Sequence, residues 1–332
     1  MGCKKEKLID FYLIPLNHIS FPKEYKKTQT SLMKAIDKYY YTKATEEKKI
    51  SLENELNKKT NHLLKKSRKK LKKQQKEYNE SENAEKYKIF GELLTANLYR
   101  FSKEKLESDN IEVTNYYEDP PKTIKINLDK SLSPSENAQR YFKKYQKAKT
   151  RNKKLKKEIK NTEAEIKYLE NISFQLESAE DLEELDTIKE ELIKEGYLSE
   201  KKQDIKKKKK TDPTKKSSLE FISKDGFKIL VGKNNKQNDY LTLKEASSED
   251  IWLHTKEIAG SHVVIKGKDA PLSTIEEAAS IAAYYSKGKN SSNVPVDYTR
   301  IKHVRKPKGA KPGMVFYDNY KTLFVDPVKP AD

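Results

Sequence analysis

The longest uninterrupted pattern in the chain is a stripe of apolar residues at helical spacing. Between about residues 25 and 106, Leu32, Ile36 and Tyr39 are 4 and 3 apart, and Leu64, Leu71 and Tyr78 keep a seven-residue beat. Tyr87, Phe90, Leu94, Leu98 and Phe101 then resume steps of 3 and 4. No proline and a single glycine, Gly91, interrupt this run. At a rise of about 1.5 Å per residue it predicts a rod of roughly 110 to 120 Å, far longer than a globular helix. Only 34% of the residues are hydrophobic and 36% are charged, which suits helices that bury one stripe and argues against one large core.

Residues 109 to 132 break the rod. Asp119-Pro120-Pro121 cannot continue a helix, and TIKINLD alternates like a small strand that can pair with the segment around Val113. Helix restarts at a capping box, Ser133 with Glu136, and Pro134 takes the first helical position. Leu155, Ile159, Thr162, Ile166 and Leu169 carry a second seam. Two seams joined by a turn-rich insert predict an antiparallel coiled-coil hairpin over 23–200, with a small β-containing tip near 109–132. Ser178 with Asp181 predicts the start of a shorter helix that Gly196 closes. The Lys206 to Lys210 run marks a basic linker over 201–216, and residues 7 to 21 read as a strand broken at Pro15.

Residues 217–332 change character. LEFIS and FKILV flank Lys224-Asp225-Gly226, a hairpin signal, and IWLH, HVVIK, VDYTRIKHV, MVFYD and TLFVD read as further strands. Ser273 with Glu276 predicts a helix start, and Gly288 its stop. The expected fold class is α+β: a long antiparallel coiled-coil hairpin, then a compact mixed α/β domain.

The net charge of +19 points to a polyanionic partner, with a generally lysine-rich composition as the plain alternative. Residues 217 to 332 hold 18 Lys and Arg against 14 Asp and Glu, so most of the field belongs to the helical part. A single cysteine, Cys3, excludes an internal disulfide and fits a reducing compartment. Neither a membrane-span run nor a signal-peptide core is visible, so a soluble cytoplasmic protein is expected.

No catalytic or cofactor motif emerges, and the chain is not expected to be an enzyme. His254 and His262 lie eight apart on strands with no cysteine to complete a metal site. Ser261 beside His262 points to the opposite face of a strand, which rules out a nucleophile and base pair. The amide-rich run Asn234, Asn235, Gln237, Asn238 and Asp239 reads as a self-bonded turn or as amides facing a nucleotide or phosphate. His254 and His262 join that run as possible contacts. Two basic clusters point to RNA. Arg300, Lys302, His303, Arg305, Lys306, Lys308 and Lys311 fall within twelve residues without an acid, and Lys266, Lys268, Lys287 and Lys289 can flank them. Lys65, Lys66, Arg68, Lys69 and Lys70 form a block on the arm, also without acids. Either cluster read blandly is a solvated face.

Three stretches carry a resemblance to a known family: SPSENAQRYFKKYQKAK at 133–149, VGKNNKQNDYLTLKEA at 231–246 and DIWLHTKEIAGSHVVIK at 250–266. Over essentially the whole length the chain resembles the C-terminal half of NFACT-family proteins of bacterial ribosome-associated quality control, also known as fibronectin-binding proteins. The resemblance implies that the hairpin is the family's middle coiled coil and that 217–332 is its RNA-binding NFACT-R domain. Residues 1–22 would then be a remnant strand of the N-terminal NFACT domain. That domain, with its tRNA-contacting Asp-Arg pair, and the helix-hairpin-helix domain are missing from this sequence. Implied partners are the large ribosomal subunit, near the arm tip, and tRNA, in support of template-free alanine tailing of stalled chains. The alternative it implies is a fibronectin- or fibrinogen-binding adhesin of the bacterial surface.

Overall fold

The computed structural model describes residues 31–81, 84–100, 108–199 and 218–330. The strand expected at 7–21, Phe101 and the linker at 201–216 lie outside the described residues. The chain divides into two compact units. One holds residues 65–166, the other residues up to 64 together with 167–332. Among the described residues no helix is long and apolar enough to cross a membrane.

In the unit of residues 65–166, helices α1 (Leu32–Ser81) and α3 (Pro134–Ser178) run antiparallel. Thr162 Oγ1 donates to Gln74 Oε1 at 2.9 Å, Asn152 Nδ2 donates to Ser81 Oγ at 3.1 Å, and Arg151 pairs with Glu77. The seam is more polar than its leucines suggested. Ser67, Gln74 and Ser81, spaced by seven, are buried, whereas Leu71 and Tyr78 are half-buried. Buried polar pairs of this kind specify register at some cost in stability.

The insert forms a hairpin of β1 (Asn110–Asn115) and β2 (Lys122–Asn127), with Val113 opposite Ile124. Val113 and Ile126 pack on Leu93 and Leu94 of α2 (Ala84–Ala96) and on Tyr141 of α3. Gly91 lets α2 approach the Phe142 ring, which a Cβ would meet at 2.9 Å. The capping box forms as expected: Ser133 N–H donates to Glu136 Oε2 at 2.7 Å, and Glu136 N–H to Ser133 Oγ at 3.3 Å.

In the other unit, the start of α4 (Leu182–Lys194) departs from expectation. Ser178 ends α3, and Asp181 alone caps α4 by accepting from Glu184 N–H at 2.9 Å. Leu185, Ile188 and Leu192 are buried along α4, as are Tyr168, Leu169, Ile172 and Leu176 on the root of α3.

The C-terminal sheet contains β3 (Leu219–Ile222), β4 (Lys228–Val231), β5 (Ile251–Thr255), β6 (Val263–Ile265), β7 (Val294–Arg300) and β10 (Lys321–Val325), with β8 and β9 forming a separate pair at Val304–Arg305 and Phe316–Tyr317. The order is β10-β7-β5-β6-β4-β3, antiparallel throughout. Gly226, at φ +82°, makes the β3–β4 turn. Successive strand side chains point to opposite faces. Ile229, Val231, Ile251, Leu253, Val263, Ile265, Val294 and Val296 face α6 (Leu272–Tyr284), whose Ala278, Ala279, Ala282 and Ala283 allow close packing. The expected cap of α6 is corrected. The helix starts at Leu272 after Pro271, and Ser273 Oγ donates instead to Asp225 Oδ2 of the hairpin turn at 2.7 Å. Helix α6 ends at Tyr284, before Gly288. On the other face Leu230, Leu241, Trp252, Val264 and Ile301 make a smaller core.

Candidate nucleic-acid interface

The amide-rich run folds as a short helix, α5 (Asn235–Tyr240), followed by a π-helical turn at Leu241–Glu245. Asn234 caps α5 by accepting from Gln237 N–H at 2.9 Å. Asn235 is completely buried and works as a hub. Its Oδ1 accepts from Asn171 Nδ2 and Gln175 Nε2 of α3, each at 2.9 Å, and its Nδ2 donates to Glu191 Oε1 of α4 at 2.8 Å. Tyr168 OH donates to that same Glu191 oxygen at 2.8 Å. Burial pushes the Glu191 carboxyl up, against the lowering effect of its Asn235 and Tyr168 bonds. Lys233 adds ion pairs to Glu184 at 3.0 Å and Glu180 at 3.3 Å. Gly313, at φ +74°, lies so close that a Cβ would meet Asn235 Oδ1 at 2.2 Å. These residues tie the helix root to the sheet domain, and their amides point inward.

Asn238, through its side-chain oxygen, and Asp239 also bond within the domain. Asn238 Oδ1 accepts from His262 N–H at 3.1 Å, while Asp239 accepts from Gly313 N–H at 3.1 Å and pairs with Lys306. His262 is buried and bonds Thr242 Oγ1 through Nδ1 at 2.7 Å. His254 is half-buried and stacks on Trp252, with centroids 5.8 Å apart and planes 11° apart. Burial lowers the pKa of both imidazoles, furthest for His262, which also faces His254. Among the described residues no three His, Cys, Asp or Glu side chains converge as a metal site.

The run at 300–311 meets acids from elsewhere in the fold, which its own sequence does not contain. Glu249 pairs with Arg300 and, at 3.2 Å, with Lys302. Asp318 lies 3.5 Å from both His303 and Arg305, and Lys311 is 2.8 Å from Glu195. Its positive field is therefore much weaker than its composition suggests. Lys308 is exposed. Among the expected flanking residues, Lys266 pairs with the buried Asp250. Burial raises the Asp250 carboxyl, but the Lys266 ammonium and the Gly267 and Ser247 N–H groups outweigh it and hold it low. Lys268 lies 3.9 Å from Asp269, Lys289 sits 4.2 Å over Tyr284, and Lys287 is exposed. On the arm, Lys65, Lys66, Arg68, Lys69 and Lys70 are all exposed along α1.

Two surfaces were not anticipated from the sequence. One is a hollow between α2 and α3 lined by Lys86, Tyr87, Phe90, Arg140, Tyr141 and Lys144, with the Lys144 ammonium 5.1 Å from the Tyr141 ring. The other is the outer part of the second sheet face. Cross-strand register puts His254, Asp297 and Thr322 in one row and Pro295 and Phe324 in the next. Asp297 is buried and accepts from Tyr317 OH at 2.8 Å and Thr322 Oγ1 at 2.6 Å. Lys256 Nζ lies 3.8 Å from Asp297 and 5.2 Å from the centre of the Tyr320 ring. Phe324 and Tyr320 remain exposed. The only signal in the sequence was an aromatic out of step with the apolar alternation of Leu323 and Val325.

Comparison with known proteins assigns this architecture. The NFACT RNA-binding domain model matches residues 218–319, and the model of the NFACT N-terminal and middle domains matches residues 1–211. The chain belongs to the NFACT family. The Rqc2 homolog RqcH of Bacillus subtilis is 45% identical over 317 residues, spanning 96% of this chain and 54% of that protein. RqcH of Streptococcus suis is 42% identical over 302 residues, spanning 90% of this chain and 52% of that protein. The chain thus spans about half the length of these curated relatives. A solved structure, the C-terminal part of the fibronectin/fibrinogen-binding protein from Streptococcus suis, is 38% identical with a TM-score of 0.65. The match covers 85% of this chain and 96% of that one.

Proposed function

We propose that this chain is the non-catalytic, RNA- and ribosome-binding part of a ribosome-associated quality-control factor. The observation that carries the reading is the match of the NFACT RNA-binding domain model to the sheet domain. The similarity to RqcH proteins supports it. In the proposed role the sheet domain contacts RNA, and the exposed Lys65, Lys66, Arg68, Lys69 and Lys70 dock on phosphates of the large subunit. The exposed Lys287, Lys302, Arg305 and Lys308 add long-range attraction. The tip at 109–132 is the natural candidate for meeting rRNA or a ribosomal protein. Within a longer protein this part would hold the factor on obstructed large subunits beside tRNA while template-free alanine tailing proceeds. A cytoplasmic location follows from that role.

Binding to purified large ribosomal subunits across a salt series tests the proposal. Lys and Arg contacts to phosphate release counterions, so affinity is expected to fall steeply as salt rises. Absence of binding at low salt, or binding indifferent to salt, would overturn it. The name of the Streptococcus suis neighbour supplies the competing outcome, a fibronectin-binding adhesin. Saturable binding to immobilised fibronectin that persists after the arm lysines are neutralised would favour that reading instead.

A further inference from the structure

We propose that unpaired RNA bases stack on the outer half of the second sheet face, with Phe324 and Tyr320 as platforms and Lys256 as the phosphate contact. The inference rests on the RNA-binding reading above and names the surface and the form of RNA. It differs from the expectation that the basic run at 300–311 is the contact.

The first observation is exposure where the fold had the means to bury. The α6 face of β10 carries Leu323 and Val325, both packed against the main core. On the opposite face of the same strand Phe324 is 64% exposed, and Tyr320, just before the strand, is 45% exposed. Large aromatics clustered on an open sheet face are a recurring device for holding splayed bases, because every base offers a π surface.

The second observation is a support beneath those rings. Asp297 is 1% exposed, yet both of its oxygens are occupied by Tyr317 OH and Thr322 Oγ1. It fixes Tyr317, whose ring meets Trp252 at 4.8 Å and Tyr320 edge-on at 5.3 Å. It also attracts Lys256, whose side chain stays 40% exposed with its ammonium over the Tyr320 ring. A cation beside a ring, held by a buried carboxylate, can meet a phosphate while the ring meets the adjoining base. The charge of Asp297 is offset by Lys256, and both of its oxygens are bonded by hydroxyls, so the pair presents little net charge to an approaching phosphate. The match of the NFACT RNA-binding domain model to residues 218–319 favours RNA as the occupant over an apolar protein surface, for which Lys256 would need to be desolvated.

The test uses the full chain, a fluorescently labelled short oligouridylate, and the same oligonucleotide annealed to its complement, with anisotropy read over a salt series. Phe324→Leu and Tyr320→Leu are each expected to weaken single-strand binding about 5- to 150-fold, the equivalent of about 1–3 kcal/mol per stacked base. The salt slope should stay unchanged in both. Lys256→Gln should weaken binding and reduce the slope by about 1. Phe324→Trp should bind at least as well as the parent, and the duplex should lose little in any variant. Unchanged thermal unfolding of the two leucine variants shows that the fold is intact. If the parent chain binds neither RNA, the RNA-binding reading itself falls and this inference with it. If the parent binds single strands and both leucine variants bind equally well, this inference alone is overturned. Binding of a protein ligand through Phe324 that oligouridylate does not compete would also overturn it.

Discussion

The two faces of the C-terminal sheet are made by the same strands and differ in almost everything else. Toward α6, alternate residues such as Ile251, Leu253, Val294 and Val296 meet a helix surface of alanines in an apolar core. Toward the other side the intervening residues are Trp252, His254, Asp297 and Thr299. There the π turn and the β8–β9 pair close over Trp252, while the rows ending at Phe324 stay open. One face is built for stability and the other combines a small core with a recognition surface. Leu253→Ala is therefore expected to cost about 2–5 kcal/mol in urea unfolding followed by Trp252 fluorescence, and to leave the RNA affinity of the folded protein unchanged. Phe324→Ala should do the reverse, changing stability by no more than about 0.5 kcal/mol while weakening RNA binding. Variants that each moved both readouts would break the division between the faces.

Asp297 sits where the second face changes from closed to open, and it sharpens the comparison. Asp297→Ala removes the acceptor of Tyr317 OH and Thr322 Oγ1. A loss of about 1–3 kcal/mol is expected, with a smaller loss for Asp297→Asn, which keeps one acceptor oxygen. A change in Trp252 fluorescence should accompany it, because Tyr317 then loses its anchor beside the indole.

Acid should weaken this second face selectively. Burial depresses the His254 and His262 imidazoles below their ordinary 6.5, so the folded protein binds fewer protons than the unfolded chain as pH falls past that value. Their contribution is complete above pH 6.5 and is lost as pH drops toward the depressed folded values. Glu191 acts with the opposite sign. Burial raises its carboxyl above 4.5, so the folded state holds a proton that the unfolded chain releases as pH rises. Measured in a Glu191→Gln background, the unfolding midpoint should fall between neutral pH and pH 5, and His262→Gln should flatten that fall. A midpoint that rose on acidification would contradict the assignment.

Much of this architecture was legible because it is written in local periodicity. The seam at Leu155, Thr162 and Leu169, the Ser133–Glu136 cap, the strand at TIKINLD and the Asp225-Gly226 turn each depend on neighbours within a few residues. What could not be read depends on residues far apart in the chain. The leucines of the arm were visible, but the burial of Ser67, Gln74 and Ser81 follows from which face of α1 meets α3. Ser273 looked like a cap because of Glu276, yet Asp225, 48 residues away, takes its hydroxyl. The candidate site suffered most. A run of basic residues without acids is a one-dimensional fact, and the fold brings Glu249, Asp318 and Glu195 to it from three other segments. The amides of Asn234, Asn235 and Asn238 were conspicuous in the sequence, but only the fold shows that Asn234 caps α5, that Asn235 meets α3 and α4, and that Asn238 meets the backbone of His262.

The smallest effect expected here separates the open face from the neutralised run beside it. Glu249 is shared between Arg300 and Lys302, and its hydrogen bond to Lys302, with the attraction of both cations, holds its carboxyl below the usual range. Glu249→Gln leaves the backbone untouched, so the thermal midpoint should stay where it is. It frees the field of two cations, so RNA affinity at low salt should rise. The gain should vanish as salt increases, because the Debye length shrinks to about 3 Å at about 1 M ionic strength. The same substitution in Phe324→Leu should show the same proportional gain, since long-range attraction and base stacking at separate places add independently. An affinity indifferent to Glu249 would mean that the run at 300–305 faces away from the RNA, leaving the rings of β10 and Lys256 as the whole of the contact on this domain.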